Sequence, residues 1–484
     1  MMRYVNQKDI YIVAHYLGKI MQGVGISVLI PLLVALIYKE YSNFLGFIIP
    51  AFISIGIGTV LTKINIDKGR IRLKHGMMIS SLAWLWAAFV GSLIMIICLD
   101  VSFLDAFFEN MSAWTSSGFT MFPDVEALPK SILFLRSLEQ WIGGLGVVVM
   151  IISIFIHSGK AAARLYKSEA REERIKPSVG NTLKKILQIY VVYTIIGIAL
   201  FIIAGMPIFD SINNTFTTIA TGGMSIKNAN MGFYNNNTFY LISMFLMILG
   251  ATSFLTHYRA FKTKGLAIFQ DLQFRIMIFL IIVSSVIIYL ATTSMPMNIV
   301  YHTISAITTT GANIDSTNNI TIMGSVMEVI LLLLMLIGGS AGSTVGAIKL
   351  SRVIIFLRSV SKNITNIISP EGRVVNVKIA DKKIKEREIA ETSSYISLYF
   401  LFIAIGWIAL VLYGYDGLDS LFEVVSMQGN VGLSSGIIDE TLPMGAKIVM
   451  IFNMWIGRLE IIPVLVILRS ILEIFKVKTS RKAY

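Results

Sequence analysis

Four short segments of the sequence combine small hydroxyl residues with a glycine, a pattern whose chemistry lies in the backbone rather than in reactive side chains. Glycine permits backbone conformations that point successive carbonyl oxygens to one side. A ring of such carbonyls can replace the hydration shell of a cation. The pattern therefore predicts a cation-binding ring built from four loops. Aligned on Gly118, Gly222, Gly311 and Gly432, the loops are WTSSGFT at 114–120, TIATGGMS at 218–225, AITTTGAN at 306–313 and QGNVGLSS at 428–435.

Polar residues precede each of these glycines at two recurring distances. We predict that the more distant set forms the N-caps of short helices, each with room for only two or three turns. If such a helix ends within a membrane, its negative dipole end points at the membrane centre, where it stabilises a cation. Nine positions before the glycines stand Glu109, Asn213, His302 and Glu423. Twelve or thirteen positions before them stand Asp105, Asp210, Asn298 and Asp419.

The sequence around these segments is apolar enough to require a membrane. Hydrophobic residues make up 55% of the chain and charged residues 14%, and the mean hydropathy is +0.74. A soluble domain has about 45–50% apolar and about 25% charged residues. Each apolar run is near the roughly 20 residues that a spanning helix needs. We predict about ten spanning helices, at 10–38, 43–62, 77–99, 132–157, 186–205, 239–258, 274–293, 324–350, 394–413 and 445–470.

The distribution of charge sets the predicted orientation. With the N-terminus inside, 34 of the 41 Lys and Arg residues fall on the inner side, as the positive-inside rule requires. Topology thereby accounts for the net charge of +13, and a nucleic-acid partner is not expected. We expect a multi-pass protein of the cytoplasmic membrane with both termini in the cytoplasm. Thirteen carboxylates on the outer side either concentrate cations or only keep the outer loops soluble, and charge alone favours neither interpretation.

These elements predict an all-α integral membrane protein. After an N-terminal pair of helices, four pseudo-repeats of helix, pore loop and helix would surround one central pore. Four aligned copies, each between two spans, are much harder to attribute to chance than a single copy. The predicted segments are 1–65 for the helix pair, 76–160, 180–262 and 268–358 for the first three repeats, 359–391 for a cytosolic connector, and 392–484 for the fourth repeat.

At these motifs the sequence resembles the Trk/Ktr/HKT superfamily of potassium transporters, specifically the TrkH-type membrane subunit. The resemblance covers nearly the whole chain, including the extra N-terminal helices. It implies potassium uptake across the cell membrane, with K⁺ as the permeating ion and no bound cofactor. It also implies a homodimer and a cytosolic nucleotide-binding regulatory subunit with an RCK fold. The stretches that carry it are FFENMSAWTSSGFT, LPKSILFLRSLEQWIGGLG, TFTTIATGGMS, ISAITTTGA, LIGGSAGSTVGAIKLSRV, NVGLSSG and IGRLEIIPVLV.

The resemblance further implies which residues coordinate the ion through backbone carbonyls. Gly118 occupies a position where Ser, in the plant relatives, is associated with sodium transport, so potassium is favoured here. The first loop has Ser-Ser where the family usually has Thr-Thr, and Leu433 stands where Pro is often found. These mixed loops suggest weaker selectivity than that of a symmetric tetrameric channel. The implied residues are Ser116, Ser117, Gly118, Ala220, Thr221, Gly222, Thr309, Thr310, Gly311, Asn430, Val431 and Gly432.

A glycine-rich stretch at 337–346, IGGSAGSTVG, is the candidate gate. Four glycines weaken a helix in the membrane, and on periodicity alone they are explained by small-residue packing against a neighbouring helix. The resemblance instead places a gating loop here, beneath the ring. It also implies that a buried arginine in the last helix forms an electrostatic barrier to cations. The implied gating residues are Gly338, Gly339, Gly342, Gly346 and Arg458.

Charged residues within the predicted helices can also be explained by structural ion pairs or by contacts outside the pore. Arg458 could instead pair with a carboxylate, for which Glu460, Glu139 and Glu328 are the candidates. Arg136 and Glu139, three apart on one predicted helix, are expected to pair with each other. The inner segments 359–391 and 160–185 are candidates to contact the regulatory subunit, with anionic lipid as the alternative.

Other functional classes fit the sequence less well. A secondary transporter coupled to Na⁺ or H⁺ also uses broken helices around a central site. Such a protein usually consists of two repeats or of inverted repeats, not of four aligned loops. An enzyme is not expected, because the chain has no nucleophile–base pair or phosphate loop and its five histidines lack metal-ligand spacing. A voltage-gated channel would carry regularly spaced arginines on one helix, and none of the predicted helices does.

Overall fold

A computed structural model describes residues 7–66, 72–146, 179–263, 265–315, 324–370, 378–379 and 382–482. As predicted, the fold is all-helical; within these residues the only strands are Lys378–Ile379 and Lys382–Lys383, a short antiparallel pair. Six of the described helices are long and apolar enough to span a membrane, or up to eight if each of two sharply bent pairs counts as one span. The chain is therefore a multi-pass membrane protein.

The N-terminal part of the chain is a pair of packed helical segments. The first consists of helices Gln7–Ser27 and Pro31–Ile37, and the second is Phe44–Thr62, entered through a 3₁₀ turn at Tyr41–Asn43. The loop between the two segments brings Glu40 to the first inner helix, defined below.

The rest of the described chain repeats one order of elements four times: a long outer helix, a short helix, a loop and an inner helix. The outer helices are Leu73–Leu99, Val179–Ile203, Leu272–Ala291 and Glu386–Leu412. The short helices are Phe103–Thr115, Ile208–Ile219, Pro296–Ile307 and Gly417–Gln428. The inner helices are Lys130–Leu145, Asn237–Ala251, Ser325–Ile337 and Met444–Arg458.

The short helices begin two residues before the predicted N-caps. Their first residues place Asp105, Asp210, Asn298 and Asp419 at the third helical position, so the N-cap prediction was wrong by one turn. In the first unit Ser102 is the cap: its hydroxyl accepts from the Asp105 N–H at 3.2 Å and donates to the Asp105 carboxylate at 2.7 Å. An acidic side chain in the first turn still faces the positive end of the helix dipole.

Three of the four inner helices end in sharp breaks. The second bends by 100° into helix Phe254–Lys262, which leads through Leu266–Gln270 to the third unit, and the fourth bends by 116° before helix Ile462–Lys482. The third stops at Ile337 and resumes as helix Leu350–Ile368 after a loop. Three predicted spans, 239–258, 324–350 and 445–470, are thus interrupted; the span at 132–157 runs beyond the described residues after 146.

Glu40 caps the first inner helix from a distance. Its carboxylate accepts hydrogen bonds from the backbone N–H of Lys130 at 2.6 Å and of Ser131 at 3.0 Å, and from the Ser131 hydroxyl at 2.5 Å. The residue at the cap position itself, Pro129, supplies no side-chain bond. A carboxylate at a helix N-terminus satisfies free N–H groups and complements the dipole. The N-terminal helices are thereby fixed to the first unit.

We predict that Glu40→Gln lowers the free energy of unfolding by about 1 kcal/mol, because the amide keeps the shape but loses the charge at the helix N-terminus. Thermal unfolding of the purified protein in detergent would measure the change. Glu440→Gln, at an exposed position, is the matched control. Equal melting temperatures for the two variants would contradict the capping role.

Candidate functional site

The loops that follow the four short helices meet at one point in the molecule. A Cβ atom built on Gly118 would lie 2.6 Å from the carbonyl oxygen of Gly222 and 3.1 Å from the Cα of Gly432. A Cβ on Gly432 would lie 2.7 Å from the Ser117 carbonyl oxygen. The first loop therefore contacts both the second and the fourth, backbone against backbone.

The third loop completes the circle. A Cβ built on Gly223 would lie 2.0 Å from the carbonyl oxygen of Thr310, and one on Gly311 would lie 2.0 Å from that of Val431. The contacts therefore run from loop one to two, two to three, three to four and four back to one. Since real Cβ atoms do not approach other atoms so closely, glycine is required where the loops touch. We call these four loops the ring.

Backbone conformation fixes the register of the four loops. In the first, third and fourth loops the glycine used for the alignment has positive φ, but in the second loop it is Gly223, with φ of 64°, and not Gly222. The residue two positions before each of these glycines is also left-handed, with φ between 51° and 58°. These left-handed residues are Ser116, Thr221, Thr309 and Asn430.

The predicted alignment of the second loop was therefore wrong by one residue. Hydrogen bonds from the residue before each glycine to the short helix agree with the new register: Ser117 N–H donates to Ser112, and Gly222 N–H donates to Thr217. Ala220, predicted to belong to the second loop's ion-binding triplet, is instead the C-cap of its helix, in the right-handed region. A uniform spacing would have revealed the register, because Asp210 lies thirteen positions before Gly223, as its counterparts do in the other loops.

Two of the polar residues nine positions before the glycines support the loops from behind. Glu109 accepts from the Met121 N–H at 2.7 Å and the Thr120 hydroxyl at 3.1 Å. Glu423 accepts from the Ser435 N–H at 2.9 Å and the Ser434 hydroxyl at 2.6 Å. Both carboxylates are fully buried. Each one holds the outer part of its own loop against its own short helix.

The third and second units have no carboxylate at this position. Both ring nitrogens of His302 lie against oxygens, Nδ1 at 2.7 Å from the Asn298 carbonyl and Nε2 at 2.8 Å from Oδ1 of Asn313. In the corrected register the second unit has Asn214, not Asn213; its amide donates to the Tyr234 hydroxyl at 3.1 Å. Every unit therefore places a buried polar side chain between the short helix and the chain that follows the loop.

Side chains of the first and fourth units also bind neighbouring loops. Gln140 donates to the Gly222 carbonyl at 2.8 Å and accepts from the Met224 N–H at 3.1 Å. The Asn430 amide donates to the Ser117 hydroxyl at 2.9 Å. Sequence reasoning missed Gln140; the signal was a second polar residue one turn after Arg136, on the same face of a helix predicted to span the membrane.

Arg136 does not pair with Glu139 as predicted. Its guanidinium donates to Glu109 at 2.7 Å and to the Ser225 carbonyl at 3.0 Å. Spacing along one helix suggested Glu139, but Glu109 on the adjacent short helix offers a carboxylate that already binds the first loop. The arginine thus connects the first loop's support to the second loop.

The glycine-rich stretch packs directly against the ring. Gly338 ends the third inner helix with φ of 71°, and the chain continues as the loop 338–349, which we call the glycine-rich loop. The Gly346 N–H donates to the Thr309 hydroxyl at 3.1 Å, and the Ala347 N–H donates to the Gly429 carbonyl at 3.1 Å.

Thr344 connects the same loop to the second unit. Its hydroxyl donates to the Gly250 carbonyl at 2.9 Å and accepts from the Thr221 hydroxyl at 3.1 Å. Because Thr309 and Gly429 belong to the third and fourth units, the glycine-rich loop contacts the short-helix end of three of the four ring loops.

Arg458 ties the glycine-rich loop to the remaining unit. Its guanidinium donates to the Thr344 carbonyl at 2.9 Å and to the Gly143 and Gly144 carbonyls of the first inner helix at 2.5 and 2.9 Å. Glu460, proposed from the sequence as a partner of Arg458, binds Lys349 at 2.5 Å and also Arg352. A pocket below the loop is lined by Thr344, Lys349, Arg458 and Glu460, among others.

Comparisons with known proteins identify the family. The family profile described as "TrkH: Cation transport protein" matches residues 44–327 and 316–477. The chain belongs to this TrkH family. It is 38% identical to a protein of Methanocaldococcus jannaschii named an uncharacterized cation transporter, over 96% of this chain and 97% of that one. It is also 29% identical to the Trk system potassium uptake protein TrkH of Vibrio parahaemolyticus, over 93% and 96%.

The fold of the TrkH family is also matched in three dimensions. The crystal structure of the potassium transporter TrkH from Vibrio parahaemolyticus superposes with a TM-score of 0.84 at 28% identity, covering 95% of this chain and 98% of that one. The Escherichia coli protein TrkG, named a Trk system potassium uptake protein, is 30% identical over 96% of this chain. This chain is therefore a cation transport protein, and the family match extends over residues 44–477.

We predict that Gly223→Ala destabilises the protein more than Gly222→Ala does. At Gly223 an alanine pays for left-handed geometry and meets a backbone oxygen, for a cost of about 2 kcal/mol or more. At Gly222 the nearest atoms belong to the Gln140 side chain, whose displacement loses about 1 kcal/mol of hydrogen bonding. Thermal unfolding in detergent compares the melting temperatures of the two variants. A lower melting temperature for Gly222→Ala than for Gly223→Ala would support the original alignment on Gly222.

Proposed function

We propose that this protein mediates potassium uptake across the cell membrane, with K⁺ passing through the centre of the ring. The observation that carries the proposal is the closure of four loops into one ring, backbone against backbone, with a glycine at each contact. Relatives named Trk system potassium uptake proteins align with more than nine-tenths of the chain, which makes K⁺ the expected ion.

The short helices support cation binding at the ring. Each ends one or two residues before the left-handed residue of its loop, so four C-termini lie at the same place. A helix C-terminus carries a partial negative charge, and four of them favour a cation there. The short helices therefore act as pore helices, and the ring acts as a selectivity filter.

The ion-binding groups are the backbone carbonyls of the ring. In the corrected register the triplet of the second loop is Thr221, Gly222 and Gly223, in place of Ala220, Thr221 and Gly222. The other three triplets stay as the sequence indicates: Ser116, Ser117 and Gly118; Thr309, Thr310 and Gly311; Asn430, Val431 and Gly432.

The glycine-rich loop is the gate in this proposal. It contacts the second, third and fourth units at the inner end of the ring, and Arg458 fastens it to the first. Strained backbone flanks the gate: Lys349, Glu460 and Ile461 all have positive φ, at 76°, 56° and 68°. Strain of about 1–3 kcal/mol per residue persists only where contacts hold it, so losing the ion pairs of Glu460 would favour rearrangement. Arg458 adds positive charge on the ion path.

Regulation and assembly follow from the TrkH family resemblance and the charge pattern. We place both termini in the cytoplasm, because Lys and Arg concentrate on that side. A homodimer and a cytosolic nucleotide-binding subunit of the RCK type complete the proposed assembly. The connector 359–391, which contains the basic strands Lys378–Ile379 and Lys382–Lys383, is the proposed docking site. The second proposed docking segment is 160–185, of which residues 160–178 lie outside the described part of the chain.

We predict that the purified protein in liposomes passes K⁺ and Rb⁺ faster than Na⁺ and Li⁺, and that Gly118→Ser relaxes this preference. At Gly118 a Cβ would lie 2.6 Å from the Gly222 carbonyl, so the serine must displace a carbonyl of the filter. Radiotracer uptake with each cation measures the ratio. Gly205→Ser is the matched control, because this glycine also has positive φ but has nothing near its Cβ position.

Unchanged selectivity in Gly118→Ser, with folding preserved, would contradict the filter assignment. Transport that requires a Na⁺ or H⁺ gradient would favour the secondary-transporter alternative. A gate that stays closed without the regulatory subunit would block uptake by the isolated protein. Uptake is therefore measured both in the wild type and in Arg458→Ala, the gate variant described next.

We predict that Arg458→Ala raises K⁺ flux by about tenfold in the isolated protein. The change removes the hydrogen bonds that the charged guanidinium donates to three carbonyls. Together these bonds contribute more than about 1.4 kcal/mol, the free energy that corresponds to a tenfold change in an equilibrium. Radiotracer uptake measures the flux, and Arg469→Ala, an exposed arginine on the following helix, is the control. Lower flux in Arg458→Ala, with an unchanged melting temperature, would overturn the gating role.

A further inference from the structure

Behind the first pore helix lies a buried carboxyl group that the proposed transport mechanism does not use. Glu139, on the first inner helix, is 1% exposed, and neither of its carboxyl oxygens has a hydrogen-bond partner among the described residues. It lies at the junction of the pore helix, the inner helix and the outer helix of the first unit. An unpaired ionised carboxylate in such a place costs several kcal/mol.

The nearest polar group is an amide whose orientation is fixed. Asn110, on the pore helix, is fully buried, and its NH₂ group donates to the Ala106 carbonyl at 2.7 Å and to the Met95 sulfur at 3.1 Å. These two bonds use both donors, so its Oδ1 faces the other way and has no described partner.

The two oxygens crowd one point on the outer helix. A Cβ built on Gly91 would lie 2.0 Å from Oδ1 of Asn110 and 2.6 Å from Oε1 of Glu139. The absent side chain of Gly91 leaves the space in which these oxygens approach each other. Two oxygens that only accept would repel, and the amide has no further proton to give. A proton on Glu139 converts the repulsion into a hydrogen bond.

The charged groups nearby are committed elsewhere. Arg136, one turn before Glu139, donates to Glu109 at 2.7 Å and to the Ser225 carbonyl at 3.0 Å. Glu109 on the pore helix adds negative charge, which disfavours a second carboxylate next to it. The indole N–H of Trp114 lies close enough to Glu139 to favour a negative charge there, which opposes the effect of burial. It falls outside strict hydrogen-bond geometry, so it offsets the loss of water only in part.

We propose that Glu139 is a positioning residue that carries a proton at neutral pH and donates it to Oδ1 of Asn110, which fixes the first pore helix to its inner helix. The residue touches no ion. It holds the helix whose C-terminal end leads into Ser116, and so keeps the first filter loop in register with the other three. The bond is neutral, as a group buried among apolar side chains requires.

Infrared spectroscopy tests the protonation state independently of transport. The wild-type protein is expected to show the carbonyl stretch of a protonated carboxylic acid between about pH 6 and pH 9, around the usual range of cellular pH. The band is expected to disappear in Glu139→Gln and to shift to higher frequency in Asn110→Ala, which lacks the acceptor. If Glu139→Gln does not fold, two frequency shifts assign the band to this glutamate instead. One is the shift in Asn110→Ala, and the other is the isotope shift in wild-type protein labelled with ¹³C-glutamate.

Variants test the positioning role. Glu139→Gln can still donate an N–H to Asn110, so its K⁺ flux and melting temperature are expected to stay within about twofold and a few degrees of wild type. Glu139→Ala cannot donate and is expected to lose K⁺ over Na⁺ preference and stability together. Absence of the protonated-acid band in wild type overturns the proposal. A second result would also overturn it: added Na⁺ or Li⁺ raises the melting temperature of the wild type but not that of Glu139→Gln. That result would indicate an ionised carboxylate that binds a cation.

Discussion

The molecule depends on holding four stretches of irregular backbone face to face in its interior. Carbonyls that point at an ion path cannot take part in a helix, and the membrane offers them no water. Each ring loop therefore carries two left-handed residues, one of which is not glycine, and conformations of this kind persist only when the surroundings impose them. The chain meets this constraint by placing polar side chains behind the loops, where most of them bind the backbone of their own unit or of a neighbour.

This constraint explains features that would be costly in an ordinary membrane helix. Buried carboxylates such as Glu109 and Glu423 are placed where several N–H and O–H groups converge on them, so that hydrogen bonds offset the loss of water. Arg136 and Gln140 lie one turn apart on an inner helix because one face of that helix serves two loops at once. The glycine-rich loop closes the inner end of the same assembly through backbone hydrogen bonds, so its contacts are many but individually weak. In the proposed mechanism, a gate held in this way is released by losing a few of them.

Much of this organisation could be predicted from the sequence, because it rests on local patterns. Hydropathy predicted a multi-pass helical protein, and the spacing of glycines predicted the four loops. The register of the second loop could not be predicted from its glycine, since Gly222 and Gly223 are adjacent and only backbone conformation separates them. The partner of Arg136 was missed because helical spacing points to Glu139, whereas the tertiary fold brings Glu109 closer. The breaks near 252 and 460 were missed because apolar residues continue on both sides of them. Gly250 and Ser253 at the first break, and Gly457 and Pro463 at the second, were the available signals.

The central claim is that one cation path runs through the ring of four loops. A crystal structure of the protein grown in Rb⁺ or Tl⁺ tests it most directly, because the anomalous signal locates the ion without reference to transport rates. The account predicts density on the axis of the ring, at a level bounded by the carbonyls of Ser117, Gly222, Thr310 and Val431. Anomalous density at another place in the molecule, with none inside the ring, would contradict it.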